Sequence, residues 1–191
     1  MKMFHALTDL RLVDMYYDLV YPKYPMLAKL NVLISYTYFG NQLPILERLM
    51  GDGDRNERKI NSTFLDAGTY GMNPDGENPG IVDLFHEYVA WVIRIGAHFD
   101  YIASFDDRFN EPEHNRMNYE DLKLALQRHD ESHGTTLVSK LVPVIHTPDS
   151  DDSEAMTPAE EFLSYIEAGA TTIGLGSKPE LSKSSWRKSR S

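Results

Sequence analysis

The sequence predicts an α/β fold built as a partial (β/α) TIM-type barrel of about five βα units, preceded by an N-terminal helical segment. Strand-like apolar runs alternate with amphipathic helices at intervals of about 30–40 residues, which is typical of parallel βαβ units. Polar residues follow several successive strands, as in a barrel whose catalytic loops share one face. No glycine-rich phosphate-binding fingerprint follows the first strand, as a doubly wound dinucleotide fold would require.

The length of the chain sets a limit on that barrel. Its 191 residues are enough for one domain with a sizeable core, whereas a complete eight-unit barrel typically takes about 250 residues. We therefore expect residues 1–177 to form a single, incomplete β/α-barrel domain. Residues 178–191 are polar and basic, which predicts a disordered tail. An incomplete barrel leaves an unpaired strand edge, which a second chain or a second copy of this chain would cover.

Composition and charge narrow the classes of function. The formal net charge of -10 argues against a broad phosphate-binding surface, although the basic tail could contact nucleic acid. The chain contains no cysteine, which excludes disulfides and thiolate metal sites. No apolar run approaches the roughly 20 residues of a membrane span. The first residues also lack the apolar stretch of a signal peptide, so we expect a cytoplasmic protein without a membrane partner.

The first half of the chain is predicted to contain two strands. Residues 1–30 are expected to form a capping segment with a short amphipathic helix, because apolar residues recur there at helical spacing. The first strand is predicted over 31–39, where β-branched and aromatic residues are concentrated. A short helix is predicted over 43–50, followed by a polar loop over 51–59. The second strand is predicted over 62–66, where an apolar run stops at an aspartate.

The middle of the chain is predicted to contain the longest amphipathic helix. Residues 72–80 are rich in glycine, proline and asparagine, which indicates a loop. Apolar residues then recur at helical spacing over 81–97, which predicts a helix. The third strand is predicted over 99–105, directly before Asp106, and a further helix over 119–128.

The last part of the chain is predicted to add two strands around one well-signalled helix. The fourth strand is predicted over 137–145 and is followed by His146. A threonine, a proline and a glutamate at the first, second and fourth positions of 157–168 indicate an N-cap, a first helical residue and a capping-box partner. Gly169 is expected to end that helix, and the fifth strand is predicted over 171–175.

Three chemistry-bearing residues close predicted strands. Asp66, Asp106 and His146 would face one pocket in a barrel. A carboxylate at the end of a buried strand is costly unless it is paired or functional. Two such groups can divide acid and base roles, or accept hydrogen bonds from a polar heterocycle. The structural alternative is that Asp66 is a turn residue before glycine and that Asp106 caps a helix.

Two other kinds of site remain open at this point. Asp66, Asp106 and His146 are oxygen and nitrogen ligands that suit several divalent ions. The chain contains no His-x-His or His-Glu-x-x-His pattern to support a metal. The glycine-rich turn over 174–177 could bind a phosphate through backbone N–H groups, or it is an ordinary turn.

Four short motifs resemble one family. Asp66-Ala67-Gly68-Thr69-Tyr70 resembles the Asp-Ser-Gly-Gly-(Phe/Tyr) motif of the tRNA-guanine transglycosylases. These are (β/α)-barrel enzymes that exchange guanine for a 7-deazaguanine base, and phage and bacterial relatives modify DNA. Ser104-Phe105-Asp106-Asp107 resembles the family's Phe-Asp-Glu strand end. Residues 141–146 lie where the family has a strand leading to a base-contacting glutamine, and 172–176 resemble its glycine-rich strand end.

The resemblance implies a role for each matching residue. Asp66 would be the general base or a substrate contact, and Gly68 would leave room beside it. Tyr70 would stack on the purine-like ring. Asp106 would accept hydrogen bonds from the ring N–H and the exocyclic amine, and Gly174 would let the base approach the backbone.

This sequence departs from the family at several positions. Ala67 replaces a serine, Thr69 replaces a glycine, and His146 stands at the position of the base-contacting glutamine. The family's nucleophilic aspartate and its zinc site of three cysteines and a histidine come later than the matched segment. We therefore expect no zinc and no other cofactor, and no nucleophile to hold a covalent ribosyl intermediate within this chain.

The favoured hypothesis is a truncated or split transglycosylase-like barrel that keeps the base-recognition half of the pocket. The complete enzyme would be a pentosyltransferase that exchanges a guanine-type base in tRNA or DNA. One alternative is a metal-dependent barrel hydrolase or lyase that acts on a small molecule. Another is a non-catalytic remnant that binds a base or a partner.

Overall fold

The structure is a computed structural model, and the fold is given for the residues that it describes. These are residues 4–7, 9, 11–20, 22–24, 30–40, 60–69, 81–106, 112–146 and 157–176. The helix predicted over 43–50, the loops predicted over 51–59 and 72–80, Tyr70 and the tail 178–191 lie outside the described residues.

The described strands form parallel sheets in chain order. A five-stranded sheet contains, in this order, β1 (His5–Ala6), β2 (Leu30–Ser35), β3 (Ile60–Asp66), β4 (Tyr101–Ala103) and β5 (Leu141–Val142). A second sheet pairs β6 (Val144–His146) with β7 (Gly174–Gly176), also parallel. The architecture is therefore α/β, with helices between successive parallel strands.

Pro143 divides what is otherwise one strand. Proline has no N–H to donate to a strand ladder, so β5 ends before it and β6 begins after it. The Ser104 N–H donates to the Val142 carbonyl at 2.8 Å, and the Gly174 N–H donates to the Pro143 carbonyl at 2.8 Å. The broken strand therefore lies between β4 and β7. The described strands follow one another across the sheet without the reversal of order that defines a doubly wound fold.

Five α-helices connect or flank these strands in the described ranges. They are α1 (Arg11–Met15, which continues as a π-helical turn over Tyr16–Val20), α2 (Tyr36–Phe39), α3 (Ile81–Ile95), α4 (Pro112–His133) and α5 (Pro158–Glu167). Short 3₁₀ turns cover Gly96–His98 and Leu137–Lys140. No helix in the described ranges is long and apolar enough to cross a lipid bilayer.

The predicted helix over 157–168 is confirmed together with its signals. Thr157 is the N-cap of α5, its side chain accepts the Glu160 N–H, and the Glu160 side chain accepts the Thr157 N–H. Pro158 occupies the first turn, and Gly169 follows the helix with a φ of 86°. The helix predicted over 81–97 is also confirmed, as α3 with its 3₁₀ extension, and α4 extends beyond both ends of the helix predicted over 119–128.

The predicted N-terminal capping segment was incomplete, because His5–Ala6 forms a strand. This strand is parallel to β2, with His5 opposite Val32 and Ala6 opposite Leu33. The Leu7 N–H also donates to the Leu33 carbonyl at 3.0 Å. A strand of two residues is too short to show an alternating apolar pattern, so it is identified only by its pairing with β2.

The predicted ends of several other strands were wrong. The strand predicted over 99–105 covers only Tyr101–Ala103, and the strand predicted over 171–175 covers Gly174–Gly176. The strand predicted to reach residue 39 ends at Ser35, and Tyr36–Phe39 is helical. The Thr37 N–H donates to the Ala67 carbonyl and its hydroxyl donates to the Gly68 carbonyl, which draws the chain out of the sheet. Leu137–Lys140 was predicted as strand but forms a 3₁₀ turn.

The main core lies between one face of the sheet and α3 with α4. Alternate strand residues on that face are buried and pack with the apolar stripes of the two helices: Val32, Ile34, Leu65, Ile102, Leu84, Val92, Ile95, Leu122 and Leu126. Phe4, Phe64 and Tyr101 contact one another at the opposite pleat positions, with ring centroids 5.3–6.0 Å apart. This packing fixes the strand register and therefore the position of each strand end.

Candidate functional site

The carboxyl ends of β2 and β3 bring two polar residues together. Ser35 and Asp66 are the last residues of these strands and lie opposite each other in the register. The Ser35 hydroxyl donates a hydrogen bond of 2.9 Å to Oδ2 of Asp66. Ser35 is buried and Asp66 is partly buried. The predicted site residue Asp66 therefore lies at a strand end, and its charge is partly compensated by a neighbouring hydroxyl.

Asp106 lies just beyond β4, the next strand along the sheet. Its exposed fraction is only 5%, although its residue type is usually exposed. The Thr69 hydroxyl donates to the backbone carbonyl of Asp106 and so joins the segment after β3 to the segment after β4. The two predicted carboxylates therefore follow adjacent strands, at the same edge of the sheet.

Tyr88 of α3 lies near the end of β4, at the edge of the sheet where both carboxylates are placed. This side chain is fully buried, and its hydroxyl donates to the Ala103 carbonyl at 2.8 Å. Burial raises the pKa of Tyr88 well above its ordinary value, and the negative charges of Asp66 and Asp106 raise it further. One phenol thus lies within electrostatic range of both carboxylates, at the end of β4.

A second buried tyrosine approaches Asp106 from α5. Tyr165 is fully buried, and its ring meets the Tyr119 ring edge-on at 5.3 Å. Burial raises the pKa of Tyr165, and the charges of Glu161 and Asp106 raise it further. Glu161 is itself buried, with an exposed fraction of 5%. Asp106 therefore lies in a region of low solvent access that also contains a second carboxylate.

Two hydroxyls in this region have no hydrogen-bond partner within the described residues. They are the Oγ of Ser104, which is two residues before Asp106, and the hydroxyl of Tyr165. Buried polar atoms normally have a partner, because an unpaired one costs about 1–3 kcal/mol.

Gly68 has a structural reason to be glycine. Its φ is 78°, and an added Cβ would lie 2.1 Å from the Thr37 hydroxyl and 2.9 Å from the Ser35 Cβ. The segment after β3 therefore packs directly on the end of β2. This contact positions Asp66 beside Ser35.

The remaining predicted site residues lie farther along the same edge or outside the described residues. Gly174 is paired with Val144, and an added Cβ there would lie 3.2 Å from Val144 Cγ2. His146 ends β6 opposite Gly176, but its side chain is not among those described. Tyr70 falls outside the described residues. The structure thus brings together Asp66 and Asp106, and it places His146 and Gly174 on neighbouring strands.

Sequence reasoning missed the residues that surround the two aspartates. Ser35 follows an apolar run, which is a signal that could have identified it as a strand-end residue. Tyr88, Glu161 and Tyr165 lie at helical positions that read equally well as core or surface, so no local signal distinguishes them.

The metal site predicted from Asp66, Asp106 and His146 stays a prediction, because the side chain of His146 is not among those described. Among the described side chains, no group of three histidine, cysteine, aspartate or glutamate residues is placed to hold a metal ion. Asp66 and Asp106 are suited to hydrogen bonding, because carboxylates in a region of low dielectric can accept N–H donors strongly or exchange a proton.

Comparison of the chain with protein-family models, with curated proteins and with solved structures gave no match. The candidate site therefore rests on its own geometry.

Proposed function

We propose that this chain recognises a guanine-type base, as the base-recognition part of a transglycosylase-like (β/α) barrel. The observation that carries the proposal is the placement of two aspartates at one edge of the sheet: Asp66 ends β3, and the buried Asp106 lies just beyond β4. The nucleic acid in which such a base would be exchanged is tRNA or DNA.

The sheet topology supports the barrel part of this proposal. The parallel strands follow in chain order from β1 to β7. A (β/α) barrel has this order, whereas a doubly wound sheet reverses it at a switch point. Barrel enzymes place their substrates at the carboxyl ends of the strands, which is the edge that holds both aspartates.

The chemistry of the ring supports the choice of base. Guanine and 7-deazaguanine present a ring N–H and an exocyclic amino group side by side, and a carboxylate accepts both. Asp106 is suited to this role because it is almost completely buried, and hydrogen bonds to an ionised group strengthen at low dielectric. Asp66 is more accessible and hydrogen-bonded to Ser35, so it suits a second contact or a proton acceptor.

Calorimetric titration of the full chain with guanine and with a 7-deazaguanine base tests the proposal. We expect wild type to bind at least one of them, and Asp106→Asn to bind at least about tenfold more weakly, because a hydrogen bond to a charged group is worth about 1.5–3 kcal/mol. Asp66→Asn should weaken binding less. Asp121→Asn removes an exposed carboxylate from α4 and should leave affinity unchanged.

Two outcomes would overturn this function. One is that wild type binds none of these bases while its circular dichroism shows a folded chain. The other is that Asp106→Asn binds as tightly as Asp121→Asn.

A further inference from the structure

A pair of histidines on α4 lies apart from the proposed base pocket. His129 and His133 are four residues apart, near the end of the helix. Their ring centroids are 4.2 Å apart and their planes differ by 18°, so the two imidazoles are stacked face to face. Residues at this spacing share one face of a helix.

A backbone contact orients one of the rings. Nδ1 of His133 lies 3.0 Å from the His129 carbonyl oxygen. A carbonyl can only accept, so Nδ1 carries the hydrogen, and the neutral ring has its lone pair on Nε2. This is the arrangement by which proteins fix the tautomer and direction of a histidine that binds a metal.

Among the described residues, the ring nitrogens have no other protein partner than the His129 carbonyl. Within the described ranges, neither ring makes another hydrogen bond or another ring contact. Asp130 lies close enough to interact electrostatically with His129, but its carboxylate is engaged elsewhere. It accepts hydrogen bonds from the Thr135 hydroxyl and from the N–H groups of Leu137 and Val138. His133 is exposed and His129 partly so, which leaves this helix face accessible.

We propose that His129 and His133 together bind a divalent transition-metal ion such as Zn²⁺ or Ni²⁺. Imidazole nitrogen suits these ions, and two histidines four residues apart on a helix can bind one ion together. Stacked rings direct their in-plane nitrogen lone pairs along nearly parallel lines, so metal–nitrogen bonds of about 2.0–2.1 Å require one ring to rotate until the two lone pairs converge. Rotation of the His129 ring leaves the contact of His133 intact, because that contact is made to the backbone carbonyl of His129. With two protein ligands, the remaining positions are filled by water, so the site is open.

Titration of the full chain, without an affinity tag, with Zn²⁺ by calorimetry tests this site. We expect His129→Gln and His133→Gln each to lower the affinity at least about tenfold, since even an outer partner of a metal ligand typically contributes 10–100-fold. His114→Gln is the matched control, because His114 is exposed on the same helix. It should retain wild-type affinity.

A second measurement locates the ion. Substoichiometric Ni²⁺ should broaden amide resonances around the last two turns of α4 in wild type and not in either variant. Zn²⁺ that does not bind, affinity that survives both substitutions, or broadening centred elsewhere would each overturn the proposal. These outcomes are independent of base binding, because neither histidine lies among the pocket residues.

Discussion

The Ser35 hydroxyl donates a 2.9 Å hydrogen bond to the Asp66 carboxylate, and this contact joins the last residues of β2 and β3. Both residues lie at the edge of the sheet where Asp106 also lies. The bond holds the Asp66 carboxylate against the end of β2, and it reduces the cost of a partly buried charge there.

We expect Ser35→Ala to lower the free energy of unfolding by about 1–2 kcal/mol, because the carboxylate loses a charge-assisted hydrogen bond. Urea denaturation of the two proteins measures the change. Ser132→Ala is the control, since that hydroxyl donates to the Arg128 carbonyl on an exposed helix face. The control should lie within about 0.5 kcal/mol of wild type. Equal stability of Ser35→Ala and wild type would contradict the assigned contact.

Gly68 and Gly134 form a matched pair for separating backbone strain from steric overlap. Both have a positive φ, of 78° and 68°, but a Cβ added at Gly134 meets nothing within 4 Å. Gly134→Ala should therefore cost only the conformational penalty, about 1–2 kcal/mol. Gly68→Ala should cost about 1–3 kcal/mol more, because the new methyl group overlaps Thr37. Denaturant midpoints measure the stability of both variants. Equal losses of stability in the two variants would argue against the close packing of Gly68 on β2.

Tyr88 and Tyr165 are both fully buried, but only Tyr88 has a hydrogen bond for its hydroxyl within the described residues. Tyr88→Phe should lower the free energy of unfolding by about 1 kcal/mol, since the Ala103 carbonyl loses its donor. Tyr165→Phe should leave stability unchanged or raise it slightly, because it removes an unpaired buried polar atom. Thermal or urea unfolding distinguishes the two. A larger loss for Tyr165→Phe than for Tyr88→Phe would refute this assignment of partners.

The lowered pKa of Asp130 makes the free energy of unfolding depend on pH. Burial raises the pKa of its carboxyl, but hydrogen bonds from Thr135, Val138 and Leu137 outweigh that effect and hold the pKa below its usual value. A lowered pKa means that this contribution is fully present above about pH 3.9, the unfolded value, and is lost as the pH falls through the folded value. Asp130→Asn should be about 1–3 kcal/mol less stable than wild type at pH 7, because its amide cannot accept as a carboxylate does.

Urea unfolding of wild type and Asp130→Asn at pH 7 and at pH 3 measures this difference. The difference in free energy of unfolding between the two proteins should be smaller at pH 3 than at pH 7. A difference that stays constant would show that the carboxylate charge is not what stabilises the turn after α4.

Local signals identified those elements whose stabilising contacts are themselves local. The capping box of Thr157 and Glu160 with Pro158 predicted the start of α5 correctly, because each of these contacts spans at most three residues. The apolar spacing over 81–97 likewise predicted α3. Asp66 was correctly predicted to end a strand, because a charged residue that stops an apolar run can be recognised from the sequence. Asp106 was predicted directly after a strand but lies beyond β4, which ends at Ala103.

Long-range contacts decided the elements that the prediction missed. His5–Ala6 is a strand only because β2 lies beside it. Residues 36–39 have the composition of a strand, but hydrogen bonds from Thr37 to the segment after β3, thirty or so residues away, favour a helical turn instead. Intrinsic preferences of a few tenths of a kcal/mol per residue are smaller than such contacts, so tertiary structure overrides them.

By itself, the sequence determined the alternation of strands and helices, with Asp66 at the end of one strand and Asp106 after the next. Only the tertiary structure placed Ser35 against Asp66 and enclosed Asp106 with Tyr88 and Tyr165. The physical reason is that burial and electrostatic environment are set by residues far apart in the chain. A residue's own neighbours in sequence therefore indicate that it ends a strand, but they do not indicate which side chains will surround it.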